Sequence, residues 1–200
     1  MSRYSRHFHA RRAGDPKYVA LAKATLAAYA AVWPGKRPET AVDVGSSIGA
    51  LLAQLGQQGG IPFLTGLDHR VDKDLLVFKG TYLDFDLEGE DPGQLLANPS
   101  DLVVCQETLE HISPERTGAA LAVLGWFRGP GTVLVFSAAC PGQPGRHHVN
   151  CRPREEWIAL LEAAGWRLHP GADGAYRAEL KRAGISTRSC YYANTICLEG

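Results

Sequence analysis

The sequence predicts an α/β fold: a single domain built on an open, doubly wound parallel sheet with helices on both faces. Short runs rich in Val, Leu and Phe alternate with helical stretches, the pattern of strand-helix units feeding one sheet. One run, AVDVGSSIG at 41–49, is a β-branched strand that ends beside an acid and opens through two glycines into the helical ALLAQLGQQ. Strand, glycine turn and helix make the nucleotide-cofactor corner of an open parallel sheet, where ligands bind at the carboxyl ends of the strands. The length, 200 residues of which 45% are hydrophobic, suffices for one domain with its own core and calls for no second.

The chain divides into a basic arm at 1–14 and a domain at 15–200. The first twelve residues hold four arginines and no acid, although the formal net charge of the whole is zero. Such an arm is either a solvated terminus or a segment that folds over the active site and meets an anionic ligand. Nucleic acid is disfavoured as a partner, because the remaining chain has no basic surplus. Asp15 and Pro16 then open an alanine-rich helix over 16–32, with Asp15 as cap and Pro16 at the first helical position. Val19, Leu26, Tyr29 and Trp33 are its expected inner face, and Trp33-Pro34-Gly35 stops it.

Three chemistries fit the turn at 45–49, and spacing separates them. A dinucleotide fingerprint, G-x-G-x-x-G, needs glycine where Ser47 stands; a P-loop needs Gly-Lys-Ser/Thr. GSSIG also fits G-x-S-x-G, a serine hydrolase elbow with Ser47 as nucleophile, but the residues before it offer no earlier strand from which to build an oxyanion hole. The best fit is D-x-G-x-x-x-G. Asp43, Gly45 and Gly49 resemble the first motif of the class I S-adenosylmethionine-dependent methyltransferases, whose commoner form has a third glycine in place of Ser47.

PFLTGLD, a second strand, ends at Asp68, nineteen residues after Gly49. A carboxylate there offers two coplanar acceptor oxygens to a ribose diol. The resemblance gives Asp68 that role and implies S-adenosyl-L-methionine as cofactor, with Asp43, Gly45, Ser47, Gly49, Tyr82 and Gln106 around it. A third strand is expected near 75–78. Thr81 stands where family members often place the adenine-binding acid, which leaves that contact unassigned.

DLVVCQETLEHIS at 101–113 reads as a buried strand, 101–105, delivering Gln106 to Ile112 to the ligand end of the sheet. Glu110 and His111 match the Glu-His of small-molecule methyltransferases. On a helical turn Glu107, Glu110 and His111 share one face and, with His148, can hold a divalent metal: Mg, Mn or Zn. The small-RNA 2′-O-methyltransferases carry a similar E-x-x-E-H set and a later histidine, so an RNA-modifying enzyme of that kind is the alternative function. Without a metal, His111 or His147 is the candidate base, beside Glu110.

A helix over 114–127 and a strand over 131–139 lead into a long Gly/Pro-rich loop, an expected functional segment. Its His-His-Val-Asn, followed by a Trp-bearing helix, resembles a passage of class I methyltransferases, and that resemblance implies His147, His148 and Asn150 on the acceptor side of the cleft. A helix from about 153 with Trp157, Leu160, Leu161 and Ala164 inward, a helix over 175–183 and a last strand within 191–198 complete the domain, and the methyltransferase resemblance implies a Rossmann-like, doubly wound α/β sheet of seven strands, mostly parallel with that last strand antiparallel. Five cysteines without C-x-x-C imply reduced thiols. No membrane span or leader pattern occurs, so the expectation is a cytoplasmic enzyme, monomer or homodimer, that methylates a small-molecule hydroxyl on a sugar or natural product.

Overall fold

A computed structural model describes residues 12–95 and 97–200. Of the expected arm, residues 1–11 lie outside the described residues. Helix α1 (Lys17–Val32) precedes β1 (Thr40–Val44), α2 (Ala50–Gly59), β2 (Phe63–Asp68), β3 (Thr81–Asp84), β4 (Leu102–Gln106) and α3 (Thr117–Trp126). Then come β5 (Val133–Ser137), α4 (Arg154–Ala163), β6 (Arg167–Leu168), α5 (Pro170–Arg182), the one-turn α6 (Cys190–Ala193) and β7 (Ile196–Glu199). All seven strands join one sheet in the order β3-β2-β1-β4-β5-β7-β6. Only β7 is reversed, antiparallel to both β5 and β6, as expected. The strand order turns back between β1 and β4, which opens a crevice beyond their carboxyl ends.

Alternation along the strands sends side chains to two cores. Ala41, Leu102, Val104, Val133, Val135 and Cys197 pack under α1, α2 and α5. Val42, Val103, Cys105, Leu134, Phe136 and Leu198 pack under α3 and α4, with Trp157 and Trp166 wholly buried among them. Both faces being covered, the strands can be apolar throughout, which is why they read as continuous hydrophobic runs. All five cysteines are free thiols.

Helix α1 starts at Lys17 with Pro16 as its N-cap residue, one position later than expected, and Asp15 Oδ1 accepts from Lys17 N at 3.0 Å. The buried face of the helix is Tyr18, Leu21, Ala22, Thr25, Ala28 and Tyr29, and the expected Val19, Leu26 and Trp33 flank it. Alanines on that face let α1 lie close to α2 and α5, so small residues, not the large ones, marked the contact. Trp33 ends the helix by donating Nε1–H to the Gly131 carbonyl at 2.8 Å.

Two expected elements differ. The third strand is Thr81–Asp84, and 75–78 pairs with nothing: a 3₁₀ turn, Lys73–Leu75, leads to Val77, whose N–H donates to the Ile48 carbonyl at 3.0 Å. That run is apolar because it covers the start of α2, with Phe78 against Gly49. Likewise, Tyr191 begins no strand. Residues 190–193 form α6, and the strand is confined to Ile196–Glu199. Helix α5 begins earlier than expected, at Pro170, because His169 Nδ1 accepts from Ala172 N at 3.0 Å and caps it.

Candidate active site

The crevice is a cleft of about 280 Å³. Gly45, Ser47 and Asp68 line one side, and Gln106, Glu107, His111 and His147 the other. A small cavity of about 20 Å³ adjoins it, lined by Arg12, Tyr18, Asp43, Ser47 and Tyr191 among others.

The turn after β1 is tied to β2 before it meets any ligand. Gly45 N and Ser46 N both donate to the Leu67 carbonyl, at 2.7 and 3.1 Å. Gly45 has φ 85°, and a Cβ there would lie 2.2 Å from Thr108 Oγ1, so only glycine fits between β1 and the end of β4. Ser47 also has a left-handed backbone, φ 52°, which accounts for glycine being the commoner residue at this place in the resembled motif. Its N–H donates to Asp68 Oδ2 at 2.6 Å, while Asp68 Oδ1 accepts from His69 N at 2.7 Å. Two backbone bonds therefore aim the Asp68 carboxylate at the cleft wall.

We expect Ser47→Gly to retain turnover within about threefold, since glycine relaxes the left-handed backbone and keeps the N–H. A turnover assay that shows near-complete loss, with fluorophosphonate labelling of the wild type, would identify a nucleophile instead.

Asp43 is buried at the end of β1, where burial and then the neighbouring Asp68 charge raise its carboxyl to about 7, against the pull of Arg12. Gly49 and Tyr82 stand off both cavities. Gly49 lies under the Phe78 ring, and Tyr82 donates its hydroxyl to the Asp68 carbonyl at 2.8 Å. Gln106 borders both cavities, anchored by Nε2–H to Tyr176 Oη at 2.8 Å.

On the acceptor side the expected shared helical face does not form. Glu107 has φ 52°, and only Leu109–His111 turns, as a 3₁₀ helix. Glu107 is instead held by Gln143 Nε2 at 3.0 Å and Asn194 Nδ2 at 3.4 Å. Glu110, His111 and His148 come together, with one ligand atom from each lying within 4.8 Å of the others. The loop is docked for this: Val149 N and Asn150 N both donate to the Glu110 carbonyl, at 2.9 and 3.1 Å. Gly145 matters too, because a Cβ there would lie 2.0 Å from the His148 ring. Asn150 is a buried strut, donating Nδ2–H to the Leu109 carbonyl and Thr117 Oγ1, so its expected place facing the acceptor is corrected.

The Glu110 side chain is fully buried, and among the described residues neither carboxylate oxygen has a hydrogen-bond partner. Burial, then the Glu107 charge, raise its carboxyl to about 8. Each imidazole is oriented by a backbone carbonyl: His111 Nδ1 lies 3.1 Å from the His147 oxygen, and His148 Nδ1 lies 3.2 Å from the Gln143 oxygen. With Nδ1–H donating, Nε2 is the lone-pair nitrogen of each ring, the outer hydrogen-bond pattern that metal-binding histidines use. His147 lines the cleft mouth, and its carbonyl orients His111.

Gln143 and Asn194 stand 36 and 87 residues from the Glu107 they hold, and nothing in local periodicity points to them. Arg12 and Tyr191 border the small cavity without a motif that points to them, and for Arg12 the sequence signal is the arginine cluster of the first twelve residues.

No protein-family model matches the sequence, and no curated protein matches it. Solved structures do. An O-methyltransferase family protein from Burkholderia thailandensis superposes with a TM-score of 0.66 at 13% identity, over 96% of this chain and 57% of that one. The sugar N-methyltransferase KedS8 from Streptoalloteichus sp. gives 0.62 at 16% identity, over 84% and 90%. CalS10, an amino pentose methyltransferase from Micromonospora echinaspora solved with S-adenosylmethionine bound, gives 0.54 at 20%, over 72% and 61%. The chain thus spans little more than half the length of the first of these proteins. Its fold is that of the class I S-adenosylmethionine-dependent methyltransferases.

Proposed function

We propose that the protein is an S-adenosylmethionine-dependent methyltransferase that acts on a hydroxyl of a small molecule, a sugar or a natural-product ring. The observation that carries this is the Asp68 carboxylate, aimed by Ser47 N and His69 N into the cleft at the switch point of the sheet. A diol held there places a nucleoside along the Gly45–Ser47 turn and leaves the side of His111 and His147 for the acceptor. The bound cofactor supplies an electrophilic methyl group on a sulfonium. The chain's own work is to align the acceptor with it, to exclude water and to take the hydroxyl proton; alignment alone can contribute an effective molarity of about 10⁵ M or more.

Glu110, His111 and His148 suit a divalent ion as the proton-side device. An unpartnered buried carboxylate facing two oriented imidazoles is a donor set of one oxygen and two nitrogens, fit for zinc or manganese. An ion there would lower the pKa of an acceptor hydroxyl. His111, with His147 beside it, is the base in the metal-free version. The small-RNA reading has less support, since the net charge is zero and no basic surplus marks a phosphate-binding face.

Replacing Asp68 by Ala is expected to weaken S-adenosylhomocysteine binding about tenfold, about 1.5 kcal/mol, by leaving ribose hydroxyls unpaired. Calorimetry that detects no binding to the wild type, or equal affinity for NAD, would refute the methyltransferase reading.

A further inference from the structure

Two thiols meet at the base of the loop that carries His147 and His148. Cys140 follows β5 and Cys151 precedes α4, and Arg152 N donates to the Ala139 carbonyl at 3.3 Å between the two segments. In antiparallel pairing a bond of this kind flanks a non-hydrogen-bonded pair, here Cys140 opposite Cys151, and such pairs bring Cα atoms to about 4.5 Å. The return bond of the pair would need an N–H at position 141, which is Pro141, so one bond holds the two segments and no ladder extends from it. A disulfide spans Cα atoms about 4.4–6.8 Å apart, a range that a non-hydrogen-bonded pair satisfies.

Neither thiol is committed to the core: Cys105 and Cys197 are buried, whereas Cys140 and Cys151 are half-buried. Both ends of the loop are also fixed by other contacts. Ala139 follows the wholly buried β5, and Val149 N and Asn150 N donate to the Glu110 carbonyl. The loop can therefore be tied at its base without drawing His148 away from Glu110. Cys140 Sγ donates to Asn194 Oδ1 at 3.5 Å, and Asn194 Nδ2 donates in turn to Glu107 and Gln143. Loss of the S–H is thus felt at the Glu107 wall of the cleft.

We propose that Cys140 and Cys151 form a reversible disulfide, made by exchange with a low-molecular-weight disulfide such as oxidised glutathione, that closes the histidine-bearing loop at its base. One cysteine thiolate attacks a sulfur of oxidised glutathione and releases a glutathione thiolate. The second thiolate then attacks the protein-bound sulfur and releases the other glutathione. Two cysteines are oxidised, one glutathione disulfide is reduced to two thiols, and the two cysteine protons end on them. Burial raises both cysteine thiols above their ordinary value, so the exchange is slow near neutral pH and is best run at about pH 8.5.

The test uses the full chain, reduced, freed of reductant and incubated with oxidised glutathione. Alkylation in urea should then label three of the five thiols, and the intact mass should carry no glutathione. Trypsin cuts after Arg146, between the two cysteines, so the peptides containing Cys140 and Cys151 should appear joined and should separate on reduction. Cys151→Ser should instead retain one glutathione on Cys140. The oxidised wild type should melt at least about 5 °C higher than the reduced chain, because a bond that fits the native loop constrains only the unfolded state. Labelling of all five thiols, a glutathione adduct that persists on the wild type, a bond to Cys190, or an unchanged or lower Tm would each overturn the assignment.

Discussion

EDTA treatment of the purified enzyme is expected to cut methyl transfer by at least about 10²-fold and to leave S-adenosylhomocysteine affinity unchanged, because the ion would act on the acceptor hydroxyl and not on the methyl donor. Manganese or zinc should restore the rate, and His148→Ala should not be restorable. A readout without turnover is available as well. An ion that binds the folded chain at a hundred times its dissociation constant adds about 2.7 kcal/mol of stability. For a chain of this size that corresponds to a Tm rise of roughly 5–10 °C, which Glu110→Gln and His148→Ala should lack. The metal-free version predicts the opposite pattern. EDTA does nothing, His111→Ala or His147→Ala costs about 10² to 10⁴ in rate, and high pH partly rescues it because the acceptor ionises unaided. An enzyme indifferent to chelation and to both histidine changes would leave alignment as the whole of catalysis.

The structure shifts the balance between these versions for a reason the sequence does not contain. E-x-x-E-H spacing suggests Glu107 as a ligand only if the segment is α-helical, and Glu107 instead has a left-handed backbone, its carboxylate accepting from Gln143 and Asn194. The fourth candidate, His148, is brought to Glu110 by two backbone bonds to the Glu110 carbonyl, a contact across the loop that no periodicity encodes. The parts legible beforehand were those with local chemistry. β1 with its glycine turn, the acid ending β2, and the apolar β4 and β5 each carry a short-range signature of burial or turn geometry. The misplaced strand residues, the apolar run 75–78 and the aromatic pair Tyr191 and Tyr192, cover a helix end or pack against the α1 core, and composition does not distinguish covering from pairing. Gly49 is another such case. Its position in the motif suggests ligand, whereas its contact is the Phe78 ring.

Stability should fall with rising pH because of Asp43, and Asp43→Asn should remove that fall. The carboxyl ordinarily titrates at 3.8 and is raised to about 7 in the folded chain, first by burial and then by Asp68. Between those values the folded protein keeps a proton that the unfolded chain has released, so folding is linked to proton uptake. The contribution is therefore fully present below about 4, declines as pH rises to about 7, and is level above that. One pH unit inside the window is about 1.4 kcal/mol. Urea melts of wild type and Asp43→Asn at pH 5 and pH 8 should differ in relative stability by about 2–3 kcal/mol, with the Asn variant gaining on the wild type at the higher pH. Parallel stability curves would show that Asp43 is ionised throughout, compensated by Arg12.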